Sequence, residues 1–557
     1  MSFSQSYISS RVRMVRLIVL CLVVAVFGVQ LAHIVYLQIA TFHPMPWADD
    51  WDTLFLFALA ERAPGTGFGF LFFPHNEHRI AIPRLITLVD LLTARGTGVI
   101  NLATILIVPA LTTVAFWCVL RRRVDMSVLL AGSLACLLFS GGQMSTFLWA
   151  FQTQVVLLYF FALLAFYFAA RAIETGERRP YFAACIFAVC ACLCQSGGLL
   201  VLPVILILGA WHWRRSGRAA PLGVAIATAL TAAFYVWGPG GRIPSSAALV
   251  SIRDQTLFAI SFLGSPFVTM ASTLVIPAGV IAIGLSILLI VRYRKIAAPR
   301  ADQTIAVAIC LFILAIAAAA ALTRVSLGVV GATESRFVTP VIFLWAGLLV
   351  GFWPSLTVRS AALCAASVGV YGLLSHVWLQ YDYYPLHELK ANGEVAYLAG
   401  VKDTARLSHF GVPERLWAAR PFVIRYALAP FSSAVSQAVD RRLSEVYEVA
   451  SAPCRGHLDP DLEAIPSNEG FALHGWALSD DGRAPTAVLL VQRDFVTGIG
   501  RFVEDRPDVM ASDNGARELR VGFVGIVRNL DSPVRAYVAA RGAACPLPGE
   551  VKPRAPR

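Results

Sequence analysis

The feature that most constrains this chain is a series of apolar runs, each close to the length of a bilayer crossing, separated by gaps that are basic at every second position. The hydrocarbon core of a membrane takes about 20 apolar residues per helix. Runs of this kind lie at about 17–39, 99–120, 127–142, 153–172, 181–195, 198–213, 220–238, 268–291, 304–323, 338–354 and 360–379. They predict a mainly α, polytopic membrane protein with about 11 transmembrane helices. Composition agrees. Of 557 residues, 57% are hydrophobic and 14% are charged, against roughly 25% charged in soluble proteins.

The basic residues set an orientation. Arg11, Arg13 and Arg16 precede the first run. Arg121–Arg123, then Arg171/Arg178/Arg179, Arg214/Arg215/Arg218, Arg292/Arg294/Lys295/Arg300 and Arg359 follow at alternate gaps. The positive-inside rule places all six groups in the cytoplasm. The amino terminus is then cytoplasmic, and an odd number of spans puts everything beyond about residue 380 outside. The first run has no small-residue cleavage site after it and reads as an uncleaved span. This distribution explains the net charge of +12 without a nucleic-acid partner.

The carboxyl-terminal part changes character. Residues 1–380 read as the transmembrane domain, with a long first outer loop at 40–98. Residues 381–450 read as an extracytoplasmic helical segment, polar enough to lie in water (PERLWAARPFVIRYALAPF). Residues 451–557 read as a small β-sandwich, because from about 465 the apolar period becomes two (FALHGWALSD, TAVLLVQRD, RVGFVGIV, VRAYVAA) between Gly, Asp and Pro turns. Nine of the eleven cysteines fall in or beside spans as small apolar packers. Cys454 and Cys545 lie outside them, and an oxidising exterior predicts a disulfide between them. Trp476 reads better as core than as a sugar-stacking surface.

A long irregular connection in a compact protein is usually functional. The loop 40–98 carries PWADDWD, with Asp49, Asp50 and Asp52, and then FFPHNEHR, with His75, Glu77, His78 and Arg79. WADDWDTLFLFALAER reads as a short surface helix in which Asp49 and Asp52 share a face. HNEHRIAIPRLITLVDLLTARG reads as a second helix with His75 and His78 on one side. Three chemistries compete for these residues. The acids can cap a helix or sit in water. Two imidazoles and hard carboxylate oxygens can hold a divalent metal, although no zinc-motif spacing is met. A carboxylate can also serve as general base on an acceptor hydroxyl, with His and Arg binding phosphate.

A multi-span chain with an inside amino terminus and a doubled acid in a long first outer loop resembles the GT-C superfamily of membrane glycosyltransferases, over about residues 1–380. DDWD with HNEHR is similar to a bacterial subgroup of it. The resemblance implies an inverting transfer of a sugar from a polyprenyl-phosphate donor to a glycan or lipid hydroxyl. The reaction would run on the outer face of the bacterial cytoplasmic (inner) membrane, with the C-terminal domain periplasmic. It makes Asp49 or Asp50 the base and places Asp52, His75, Glu77, His78 and Arg79 in the pocket. No cofactor is required, and a divalent metal stays open. Three other stretches fit. Arg336 in TESRFVTP, at the outer end of a span, would be costly in lipid without a partner and suits a lipid phosphate, or else pairs with Glu334. Arg324 is a second candidate. Gln152 and Gln154 in FLWAFQTQ and Gln195 in CQSGG suit sugar hydroxyls or turn backbone equally. The chain lacks a WWD-type acceptor motif, so peptide glycosylation is disfavoured.

Two other classes compete. A transporter or flippase of lipid-linked glycans would show internal repeats and charges within spans, and neither is evident here. A non-catalytic polysaccharide-binding membrane protein would need no acidic cluster. The outward HNEH also keeps an acyltransferase in view.

Overall fold

The computed structural model describes residues 2–121, 127–212, 219–239, 251–377, 385–465, 469–513, 515–540 and 542–553. It resolves into two compact units. One comprises Met1–Ala40, Gly65–Thr87 and Ile100–Tyr384; the other comprises Thr41–Pro64, Leu88–Val99 and Pro385–Arg557. The long loop is thus divided. DDWD belongs to the second unit and HNEHR to the first.

Among the described residues, eight helices are long and apolar enough to cross a membrane: Leu17–Thr41, Val99–Leu120, Ser127–Leu148, Ala150–Thr175, Ser272–Arg294, Ala301–Gly331, Ser335–Ser355 and Val358–Val377. Three shorter apolar helices, Arg179–Cys192, Ser196–Trp211 and Leu222–Trp237, occupy the remaining three runs. At 1.5 Å per residue, a helix of this length is about 21–24 Å long, short of a core of about 30 Å. Hydropathy alone overlooks the turn at Gln195–Gly198 that shortens two of them. Of the basic groups used for orientation, Arg122, Arg123, Arg214, Arg215 and Arg218 lie outside the described residues.

Apolar side chains stand exposed along these helices, Leu22, Ile107, Phe182, Ile281 and Leu363 among them, as expected of surfaces meant for lipid. Small residues line the contacts between helices, where they let backbones approach. Ala162, Ala165, Ala169 and Ala172 are fully buried on the helix Thr153–Thr175, as are Ala184, Ala188 and Ala191 on Arg179–Cys192. The crossing Ser127–Leu148 is not one continuous α-helix. It stops at Leu138 and restarts at Met144. A Cβ on Gly141 in the break would lie 2.5 Å from the Ser375 carbonyl oxygen, so only glycine fits there.

Among its described residues the second unit holds the helices Asp50–Arg62, Pro385–Ala399 and Pro413–Arg425 and eight strands: β1 Glu448–Val449, β2 Arg455–Ala464, β3 Phe471–Leu478, β4 Val488–Gln492, β5 Phe495–Glu504, β6 Gly522–Val527, β7 Arg535–Ala540 and β8 Ala543–Pro546. One hydrogen-bonded ladder joins them in the order β1-β8-β7-β4-β5-β6-β3-β2. All pairs are antiparallel except β1–β8. The two facing layers of a sandwich would therefore have to be halves of one rolled sheet. The chain at the end of β8 also bonds to the start of β2 and the residue before it. Cys454 N–H donates to Pro546 O at 2.9 Å and Leu458 N–H to Pro548 O at 2.8 Å. One core draws on both segments, with Leu458 and Leu473 packed with Val488, Phe523, Val538 and Leu547. The Cys454–Cys545 disulfide closes this junction, Cα to Cα 5.5 Å. Strands begin earlier than the period-two pattern suggests. β2 is polar and contains Pro460, which an edge strand with a register shift tolerates. Trp476 packs against the small cluster of Leu478, Val509 and Val521.

Candidate functional site

In the second unit the acidic segment is held tightly. Asp49 is the N-cap residue and Asp50 opens the helix Asp50–Arg62. Carboxylates there are favoured by the positive end of the helix dipole. Ala48 takes a left-handed backbone conformation, φ 47°, which turns the chain sharply into the helix. Trp51 is fully buried; its indole N–H donates to Pro46 O at 2.9 Å and its ring meets Tyr397. Asp52 is buried and ion-paired with Arg415. Asp50 is half-buried, and its Oδ2 accepts the Trp47 N–H at 3.2 Å. Burial raises the proton affinity of Asp50. The Trp47 N–H and the Lys390 ammonium oppose this, Asp49 and Asp90 add to it, and the result is pushed up to about 7. Burial conversely lowers Lys390, and Asp50 resists that shift.

Lys390 belongs to a column on the helix Pro385–Ala399. His387, Lys390 and Glu394 recur at helical spacing. The His387 imidazole lies 2.8 Å from Phe42 O. The Lys390 ammonium sits 5.9 Å from the centre of the Trp47 ring. Glu394, with no exposed surface, takes two bonds from Arg501 at 2.6 and 2.9 Å and lies 3.3 Å from His43. Burial works to raise Glu394, but Arg501 and His43 outweigh it and hold it at about 2. Burial in this segment is uneven: Lys390 and Glu394 are buried, whereas Lys402, Glu414, Arg415 and Arg425 are exposed. Carboxylate oxygens suit a hard divalent cation. Asp49 and Asp52 can offer such oxygens, and Asp52 also pairs with Arg415.

In the membrane unit HNEH is a turn, not the start of a helix. His75 and His78 exchange backbone hydrogen bonds of 2.7 and 2.8 Å, with Asn76 at φ 49°. The helix begins only at Ala81, where Pro83 sits in the first turn and its missing N–H costs nothing. The two histidines therefore face each other across a turn and diverge in contacts. His75 packs edge-on to Phe151 at 4.9 Å, and Phe151 stacks on Trp149. The His78 Nδ1 lies 2.7 Å from Ser196 Oγ. Arg79 is fully buried and donates to the carbonyls of Phe72, Tyr235, Gly238 and Pro239, so it fixes the turn.

Glu77 pairs with Arg324 and lies 3.6 Å from His78 Nε2. Burial works to raise its carboxyl, and His78 and Arg324 together hold it below the usual carboxylate range. Arg336 pairs with Glu334 at 2.7 Å. The Arg324 and Arg336 guanidiniums lie 5.7 and 5.1 Å from the centre of the Phe337 ring, and both are about one-third exposed. Gln152 and Gln154 are buried beside Phe151, and Gln154 Oε1 has no partner among the described residues.

The sequence reading missed Lys390, Glu394, His43, His387, Arg415 and Ser196. The visible signal was HELKANGE, three charged residues in a stretch otherwise rich in apolar and small side chains, and the Ser-Gly-Gly after Gln195. No protein-family model matches the chain, and no curated protein matches it.

Proposed function

We propose that the protein is an inverting membrane glycosyltransferase that moves a sugar from a polyprenyl phosphate to a hydroxyl of a cell-envelope glycan or lipid. The observation that carries this reading is Asp50: a half-buried carboxylate at a helix start, held by Trp47, with a proton affinity near neutrality. A general base works best when its pKa lies near the operating pH. Asp50 is preferred to Asp49 because the Trp47 N–H aims one of its oxygens. In the membrane unit, Arg324 and Arg336 around Phe337 are suited to the phosphate of a lipid, since guanidinium binds phosphate bidentately. The departing polyprenyl phosphate needs cationic stabilisation and no strong acid. On this reading all eleven apolar helices are embedded in the membrane, the basic loops are cytoplasmic, and the strand-rich domain is extracytoplasmic.

The test is made on the producing cell. The gene is deleted and complemented with wild type, Asp49→Asn or Asp50→Asn, and the surface polysaccharide and lipids are weighed by mass spectrometry. The deletion is expected to remove a single sugar mass from one glycan. Asp50→Asn should reach the membrane and fail to restore it. Full restoration by both Asn variants would sink the base assignment and favour a lipid-linked glycan flippase.

A further inference from the structure

The contacts of His78 describe a second chemistry, independent of the acids. Its Nδ1 lies 2.7 Å from Ser196 Oγ and 3.3 Å from the Ser196 backbone nitrogen. The backbone N–H can only donate, so Nδ1 is an acceptor and the ring proton of the neutral imidazole sits on Nε2. Nε2 faces the Glu77 carboxylate at 3.6 Å. That is long for a hydrogen bond, but such bonds are often long before substrate binds. A hydroxyl on one imidazole nitrogen and a carboxylate at the other is the arrangement that activates a serine, recognised by geometry and not by order in the chain.

The fold anchors both partners. His78 is fixed by the reciprocal backbone bonds with His75 and by Tyr235, whose hydroxyl donates to Glu77 O at 3.2 Å and accepts from Arg79 N at 2.9 Å. Ser196 opens a short 3-10 turn after the extended Gln195. That turn is pressed against the preceding helix: a Cβ on Gly198 would fall 2.3 Å from the Ala191 carbonyl carbon. A bond from Ile82 N to Leu193 O at 3.2 Å ties the two turns together.

We propose that Ser196 is a nucleophile with His78 as its base and Glu77 as the positioning carboxylate, and that it accepts an acyl group from a carboxylic ester of a membrane lipid. Ser196 Oγ bonds to the ester carbonyl carbon while its proton passes to His78 Nδ1. Collapse breaks the bond to the alkoxy oxygen, which leaves as an alcohol with that proton. An acceptor alcohol, or water, then gives a proton to His78 and attacks the acyl-serine, which frees Ser196 and returns the proton to its oxygen. The lipid class follows from position. Ser196 opens the apolar helix Ser196–Trp211, and Phe182, Ile186 and Ile207 stand exposed on it and its neighbour.

The experiment is labelling of the purified full chain in detergent with a fluorophosphonate, followed by peptide mass spectrometry. Labelling needs no sugar donor, so its outcome is separate from that of the transferase test. Wild type should be modified at Ser196. Ser196→Ala should lose the label, and His78→Gln should slow it about a hundredfold. The ionisable groups around His78 are Glu77, Arg79 and His75 on its own turn, Tyr235 and Arg324. Glu77→Gln removes the anion that favours the imidazolium, so the pH midpoint of labelling should move down, a change that a merely structural Glu77 would not produce. Prior exposure to p-nitrophenyl octanoate should protect better than p-nitrophenyl acetate. Absence of label on folded wild type, or equal labelling of Ser196→Ala, overturns the nucleophile. Equal protection by the two esters overturns the lipid assignment.

Discussion

At the scale of single residues, Asp50 and Lys390 are the informative pair. A cation beside a carboxylate lowers its proton affinity, typically by about one to three pH units. Lys390→Met therefore removes the strongest side-chain influence holding Asp50 down. On the proposed transferase reading the carboxylate must be ionised to act as base, so the acidic limb of transfer activity should move to higher pH by about one unit or more. Lys390→Arg should move it far less. In membranes from the complemented strain, an unchanged pH profile for Lys390→Met would remove Lys390 from the mechanism. The acids themselves were legible in the sequence, because carboxylates stand out in a chain this poor in charge. Their partners were not. Lys390 and Arg415 lie on helices far along the chain, and hydropathy says nothing of which charged residue meets which. Ser196 was hidden for the opposite reason, since a serine next to two glycines is the ordinary composition of a turn.

At the scale of elements, the helix Pro385–Ala399 shows that a polar helix can carry charge on its buried side. Three charged side chains over fifteen residues look like a surface helix, yet Glu394 is completely enclosed, bridged to Arg501 of β5 and close to His43. Periodicity reports which side chains share a face, not whether that face meets water or matched charges. HNEH failed for a related reason: its spacing fits a helix, but the Pro74 before it and the left-handed Asn76 make it a turn. Removing one member of a buried pair leaves the other unpaired, which costs about 3–5 kcal/mol. Glu394→Gln should destabilise the second unit by that order, read as a lower midpoint in denaturant. The pH sign follows from the depressed carboxyl. Its stabilisation is complete above the ordinary Glu range near 4.5 and is lost as pH falls towards about 2. Wild type should weaken through that window, and the Gln variant should lose that part of the dependence. An acid profile identical in the two proteins would show that Glu394 is not held by Arg501 and His43.

At the scale of the whole molecule, the helical part was legible because lipid imposes one rule, that backbone groups be satisfied within the segment, and long apolar runs obey it visibly. The strand-rich part was legible only as strands. Strand order depends on pairings between distant segments, and alternation cannot say that the segment after β8 returns to bond with β2 from the opposite end of the domain sequence. The disulfide is where that closure can be tested. Cys454 and Cys545 are separated by 91 positions, and a loop of that size restricts the unfolded chain by roughly 4–5 kcal/mol in the chain-entropy account. Cys454→Ser should therefore lower the thermal midpoint of the second unit by several degrees. The Cys454→Ser/Cys545→Ser double variant should match the single one, because each change removes the same bond. Limited proteolysis should cut first at the freed junction of β2 with the segment after β8, where backbone bonds run from Cys454 and Leu458 to Pro546 and Pro548. If cleavage instead begins at the β4–β5 turn and the midpoint is unmoved, this junction is held by its core of Leu458, Val488, Phe523 and Leu547 alone, and the bridge contributes nothing to the fold.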